Sequence, residues 1–324
     1  MKTKGILHVL TVVVWVAGAA WADPCIGVYK GTFHPDNQVS MEAVAKVIAE
    51  ADDVHYRIVL SASPKDKGPD GADIEVYAHR DGAALLIGDR AGGYYWRGEL
   101  HNGHLSLASE YGQNWQLDKT QLKSPQEGLT PPDGAVILLG RTDGGADLRA
   151  WTNQEWKALD GGVMQINKGS TRTKEQFGDI EHLHLEFKLP LEPNNRGQNR
   201  CNSGMFLCGL YEVQILDSFG LTHTSGDCGG LYGVRRTRVN ACYPPLTWQT
   251  YDVKFTAARL NDDGSVKANA RITAHLNGVL IHDDVEIPHP TANPSADVKA
   301  AGPIELQDHG HPIQFRNIWL VRGK

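Results

Sequence analysis

At 324 residues, with 41% hydrophobic and 22% charged residues and a formal charge of −6, the chain has a globular composition and room for two ordinary domains. No basic stripe with interleaved aromatics occurs, which argues against nucleic acid as a partner. No segment after the first 22 residues is apolar enough to span a bilayer. The 10 Tyr and 8 Trp outnumber the 7 Phe, an excess of amphipathic aromatics that suits sugar-lined clefts as well as β-sheet cores.

The chain opens with Lys2 and Lys4, an apolar stretch from Ile6 to Val16, and Ala20-Trp21-Ala22 as a small-x-small cleavage site. Residues 1–22 are therefore expected to be a secretory signal peptide, giving a periplasmic or extracellular product. Cys25 follows Asp23-Pro24 and lacks the small residue expected before a lipoprotein cysteine. Five cysteines in an oxidising compartment leave one unpaired in any scheme. Cys228 and Cys242, in Gly- and Pro-rich loops, are the expected disulfide. Cys201 and Cys208 are left to pair with each other or with Cys25.

Residues 23–122 read as a small, mostly β accessory domain. Short alternating runs at 56–60, 74–77, 94–96 and 104–107 are separated by Asp81-Gly82 and Asn102-Gly103 turns. One helix is expected over 40–51, with Ser40 as its cap and apolar residues at 41, 44, 45 and 48. Residues 123–134, with three prolines and two glycines, read as a linker. From 135 to 324 the chain is strand after strand, with Asp262-Asp263-Gly264 and Asn277-Gly278 as hairpin turns. This predicts an all-β fold of two packed antiparallel sheets.

Strand alternation sorts the polar residues onto faces. In 211–216, Glu212 and Gln214 share a face while Val213 and Ile215 take the other. In 182–187, His182, His184 and Glu186 oppose Leu183, Leu185 and Phe187. In 304–309, Glu305, Gln307 and His309 fall together. If these faces coincide, they form a groove with carboxylates and imidazoles; if not, each is a solvated sheet face. His184, Glu186, Glu212 and His309 are types that ligate divalent ions, although no compact ligand spacing such as H-E-x-x-H is present. Arg172 and Lys174 read as loop charges or as substrate clamps.

From about 134 to 322 the chain resembles the 3-keto-disaccharide hydrolase family. The resemblance rests on FGDIEHLHLEFKLP, RCNSGMFLCGLYEVQILDS, DCGGLYG, YPPLTWQTYDVKF, LNGVLIHDD and GPIELQDHGHPIQFRNIWL, in that order. It implies a concanavalin-like jelly-roll β-sandwich with a concave sheet. It also implies cleavage of a 3-keto glycoside or disaccharide, by proton abstraction at carbon 2, loss of the aglycone from carbon 1, and hydration. On that reading Glu212 is the base or anchors a cation, and His309 is the second acid–base group. Glu186, Asn202, Gln214, Trp248 and Gln307 bind sugar. A divalent metal on Glu212, His184 or His309 stays open.

Two rival readings differ in class. A lectin-like module would need aromatics and amides but no paired acid–base groups. A laminarinase-type glycosidase would need two carboxylates along one strand, and the residue two beyond Glu212 is Gln214.

Overall fold

The protein, seen in a computed structural model, is described for residues 23–323 apart from 37, 51, 53, 63–73 and 292. The expected signal peptide lies outside the described residues.

The N-terminal region is an eight-stranded closed barrel. Its strands are β1 (Gly27–His34), β2 (Met41–Ala49), β3 (His55–Ala62), β4 (Ile74–Asp81), β5 (Ala84–Ala91), β6 (Tyr94–His101), β7 (His104–Ser109) and β8 (Asn114–Thr120). Each pairs antiparallel with the next, and β8 closes on β1. The β6–β7 hairpin turns on Asn102 and Gly103, at φ 50° and 78°, the left-handed pair that matches strand twist. Eight strands leave an interior just wide enough for side chains. Tyr29, Tyr56, Trp96 and Trp115 fill it, so this barrel is packed rather than hollow.

The helix expected at 40–51 is strand β2. Ala43, Ala45, Val47 and Ala49 point into the barrel core, while Val44 and Ile48 point out and pack with Val28 against Phe219 of the second domain. A strand apolar on both faces loses its visible alternation, and the apolar set then imitates helical spacing.

The second region is a sandwich. Its larger sheet contains β9 (Val136–Leu139), β12 (Lys157–Leu159), β13 (Val163–Gln165), β15 (Ile180–Lys188), β18 (Trp248–Thr256), β21 (Ala270–Leu276), β22 (Val279–Ile287) and β24 (Gln314–Arg322). They run in the order β12-β13-β24-β15-β18-β21-β22, with β9 also on β24. The smaller sheet has the order β14-β23-β16-β17, made of β14 (Thr171–Arg172), β23 (Glu305–Leu306), β16 (Ser203–Leu207) and β17 (Tyr211–Ile215). Two ribbons complete the set: β10 (Arg141–Thr142) with β11 (Gly145–Ala146), and β19 (Arg259–Leu260) with β20 (Val266–Ala268). Leu183, Leu185 and Phe187 of β15 meet Met205, Leu207, Val213, Ile215 and Leu306 of the small sheet in one core. The fold is all-β, as expected.

The Pro-rich segment after the barrel is strapped to the outer face of the large sheet. Ser124 Oγ lies 2.7 Å from Thr250 Oγ1, the Gly128 amide donates to Glu186 at 2.7 Å, and Arg316 donates to Glu127 at 2.9 Å.

All five cysteines are buried free thiols, which corrects the expected Cys228–Cys242 disulfide. The two do sit side by side, but Cys228 Sγ is 3.4 Å from the Tyr251 hydroxyl, and Cys242 donates to the Tyr243 carbonyl at 3.3 Å. Cys201 and Cys208 flank the extended strand β16. At about 3.3 Å per residue they stand too far apart to bridge.

Ile48→Ala empties a contact that joins the two domains rather than one inside the barrel. A loss of about 2–3 kcal/mol is expected in urea unfolding, with the barrel and the sandwich no longer unfolding together.

Candidate active site

The outward face of the small sheet is polar yet buried. Registry sets its residues in two rows of three. Phe206 on the central strand β16 is flanked by Glu212 of β17 and Glu305 of β23. One pair along, Gly204 faces Gln214, and on its other side the Gln307 amide donates to its carbonyl at 3.0 Å. Carboxylates thus occupy one row and amides the other. Glu212 is 3% exposed, Gln214 1% and Glu305 9%.

The middle of the amide row is a glycine. A Cβ on Gly204 would lie 2.3 Å from Glu212 Oε1, so the missing side chain is the hollow into which that carboxyl leans. Burial raises the Glu212 pKa, the charge of Glu305 adds to it, and the value reaches about 7. Hydrogen bonding contributes nothing to that shift. Its backbone is held firmly, by Thr291 Oγ1 at 2.9 Å and by the Tyr232 amide at 3.3 Å. Glu305 is tied differently, accepting from Arg172 Nε at 2.8 Å across β14. One carboxyl is therefore free to titrate near neutrality and its neighbour is ion-paired.

Around them are amides with spare capacity. The Gln214 side-chain amide donates to Gln198 Oε1 at 3.1 Å, and Asn202 donates to the Gln198 carbonyl at 2.8 Å. Asn202 Oδ1 and Gln307 Oε1 are buried acceptors with no donor. Buried polar atoms are normally satisfied, so these two call for a ligand rich in hydroxyl donors. The end of β17 is clamped by a buried ion pair, Arg200 Nε to Asp217 at 2.7 Å.

The structure thus brings together Glu212, Gln214, Asn202 and Gln307, and separates the other expected site residues from them. His184 and Glu186 lie on the outer face of the large sheet, on the far side of the sandwich core. Glu186 is enclosed by Arg316, Asn317 and the Gly128 amide. Burial opposes its ionisation, yet hydrogen bonds from His184, Asn317, Gly128 and Arg316 hold its pKa at about 2. Trp248 lies on that same face, with Arg316 4.0 Å from its ring centre, and lines a cleft of about 440 Å³ beside the barrel. His309 is exposed in the turn beyond β23, and among the described residues no hydrogen bond joins it to Glu212. The set Glu212, His184 and His309 therefore does not assemble as a metal centre. Sequence reasoning gave no role to Glu305, Gln198 or Gly204. The alternation at 304–309 carried the signal for Glu305; nothing local carried one for the other two.

A β-sandwich whose buried outer face carries a near-neutral carboxyl and unpartnered amide oxygens is suited to a hydroxyl-rich ligand, and the family match makes the protein carbohydrate-active. The chain belongs to the 3-keto-alpha-glucoside-1,2-lyase-like domain family, whose model matches residues 141–321. It is similar to a crystal structure from Parabacteroides distasonis described as a candidate glycosyl hydrolase. The two share 35% identity over 60% of this chain and 86% of that one, with a TM-score of 0.55. A second Parabacteroides distasonis structure of the same description is 16% identical over 63% of this chain and 99% of that one, with a TM-score of 0.43. No curated protein matches the chain.

Two outcomes follow. Gly204→Ala is expected to leave the circular dichroism spectrum intact while displacing the Glu212 carboxyl, with turnover falling by about 100-fold on the scale of small misplacements of catalytic groups. The Glu212 pKa also predicts a stability change of definite sign. Because the folded value lies above the unfolded one, the native state holds the extra proton, and stability falls as pH rises from 4.5 through about 7. Glu212→Gln removes that penalty, so above neutrality the variant is expected to be more stable than the parent by about 3 kcal/mol, and no more stable at pH 4. Urea midpoints at the two pH values check it.

Proposed function

We propose that the protein cleaves glycosides already oxidised to a ketone at carbon 3, by elimination across carbons 1 and 2. The observation that carries this reading is the Glu212 carboxyl, buried, free of hydrogen-bond donors and titrating near 7. A ketone at carbon 3 acidifies the carbon 2 proton, and removing it needs a base whose pKa is close to the working pH. Glu212 takes that proton, the electron pair forms the enolate, and the enolate expels the aglycone oxygen from carbon 1. That oxygen takes a proton from water as it leaves, so that the bond broken at carbon 1 yields the neutral aglycone alcohol. Water then adds across the carbon 1–carbon 2 double bond to give the free keto sugar.

Asn202 Oδ1 and Gln307 Oε1 accept hydroxyls of the ring, and Gln214 orients the same edge. Arg172, held by Glu305, supplies the positive charge that steadies the enolate oxygen. His309 enters only as an exposed group at the rim. The family match supports the choice of a 3-keto substrate over an unoxidised one. Export belongs to the same proposal, supported by the charged, apolar and small-residue pattern of residues 1–22.

The registry of Glu212 and Glu305 on Phe206 also favours a second reading. The two residues stand two strand spacings apart at their Cα atoms, about 9–10 Å, and a pair of carboxylates on one face is what a conventional glycosidase uses. The deciding experiment is aglycone release from a 3-keto-glucoside and from its unoxidised parent. Release from the keto sugar alone, abolished in Glu212→Gln, is expected. Release from the parent sugar would replace the elimination with ordinary glycosidase chemistry, and binding without release from either would make the domain a lectin.

A further inference from the structure

The most developed cluster of ligating side chains outside this site is His182, His184 and Asp252, on the outer face of the large sheet. Each offers one donor atom, and the three donors lie within 4.8 Å of one another. His182 and His184 sit two apart on β15 and so share a face. Asp252 on β18 stands directly opposite His184 in register. Asp252 Oδ1 lies 2.8 Å from His182 Nε2 and 2.8 Å from His184 Nδ1.

We propose that these three side chains form a binding site for a borderline divalent transition-metal ion of the zinc class. Two imidazole nitrogens and one carboxylate oxygen suit such an ion, with metal–donor distances of about 2.0–2.2 Å. Around a tetrahedral ion with arms of that length the donors stand about 3.3 Å apart, so the two 2.8 Å contacts to Asp252 open slightly and the imidazole nitrogens, within 4.8 Å of each other, draw together. Three features separate this cluster from a polar patch.

The first is an unsatisfied acceptor. Asp252 Oδ2 is buried and has no hydrogen-bond partner, so the carboxylate holds unused donor capacity inside the cluster. The second is the orientation of the His184 ring. Its Nε2 faces Glu186 Oε1 at 3.4 Å while Nδ1 faces Asp252. A carboxylate that accepts the far N–H of a histidine fixes the tautomer that leaves the near nitrogen bare for metal. Glu186 is itself saturated by Arg316, Asn317 and Gly128, so it positions His184 and does not compete for the ion. The third is shape. Trp319 stacks on the His184 ring at 5.3 Å and meets His182 edge-on at 4.8 Å, walling one side, while the His182 side chain is 36% exposed. The site therefore has an entry path and room for water or an exogenous ligand in the fourth position.

This site lies across the sandwich core from Glu212, so it stands apart from the proposed elimination chemistry. Its test is Zn2+ titration of the full-length, chelator-stripped protein against a chromophoric competitor near neutral pH. Binding of one ion per chain is expected, with Co2+ giving the absorption of a tetrahedral nitrogen–oxygen site. His182→Ala, at the half-exposed ligand, and Asp252→Asn are expected to weaken binding by 10-fold or more on the scale of lost ligand-shell contacts. Glu186→Gln should weaken it less. Circular dichroism verifies that each variant is folded, and His182→Gln substitutes if the alanine is not. Failure of the parent to bind stoichiometric Zn2+ would overturn the proposal. So would undiminished binding in folded His182 and Asp252 variants, which would place the ion elsewhere, for example at the Cys228 and Cys242 thiols.

Discussion

The arrangement of the small sheet turns on one uncompensated carboxyl. Removing a carboxylate from water without giving it donors is costly, and proteins usually relieve the cost by protonation or by pairing. Glu305 is relieved by pairing, through Arg172. Glu212 is relieved by protonation, because its carboxyl lies over Gly204 where no donor is supplied. Two chemically identical side chains, each in register with Phe206, thus have different partners: an arginine beside one and, among the described residues, none beside the other.

The same sandwich shows the opposite solution on its other face. Glu186 is buried more completely than Glu212, yet four donors hold it ionised. Its surroundings are a strap, an arginine and an asparagine, all fixed by the segment that leaves the barrel and by β24. Such a carboxylate is structural and cannot serve as a base near neutral pH. Burial is nearly the same for both glutamates, so it is the donors around each that set them apart.

Alternation along each strand was enough to predict which residues share a face. It grouped Glu212 with Gln214, Glu305 with Gln307, and His182 with His184 and Glu186, and each group is preserved in the structure. Alternation is silent on which of two outward faces a strand contributes to, because that depends on pairing between strands far apart in sequence. β15 joins β18 and β24, whereas β23 reaches back to β16. The joining of all three groups into one groove fails for that reason. His309 departs for a local reason: β23 ends at Leu306 and the last backbone bond to β16 is the Gln307 amide to Gly204, so the parity that would align His309 with Glu305 no longer applies. Strand β2 was misread because its outer face is not solvated, a fact that resides in Phe219 and not in β2. Gly204 became legible only with the register, since a glycine in a strand looks like a weakness until the side chain that needs the space is known.

That misread strand bears on what the barrel does for the site. Its outward residues Val44 and Ile48 seat Phe219, and Arg57 donates to the Gly220 carbonyl at 3.4 Å. Phe219 is two residues beyond Asp217, whose ion pair with Arg200 closes the end of β17. From there the chain runs to Gly226, Gly229 and Gly230, which hydrogen-bond the backbone and side chain of Gln214. The barrel therefore grips the base of the loop that holds the amide row. Its interior is filled by Tyr29, Tyr56, Trp96 and Trp115. The contacts run in one chain of packing, from Val44 and Ile48 through Phe219 to the loop whose backbone holds Gln214, which shares β17 with Glu212.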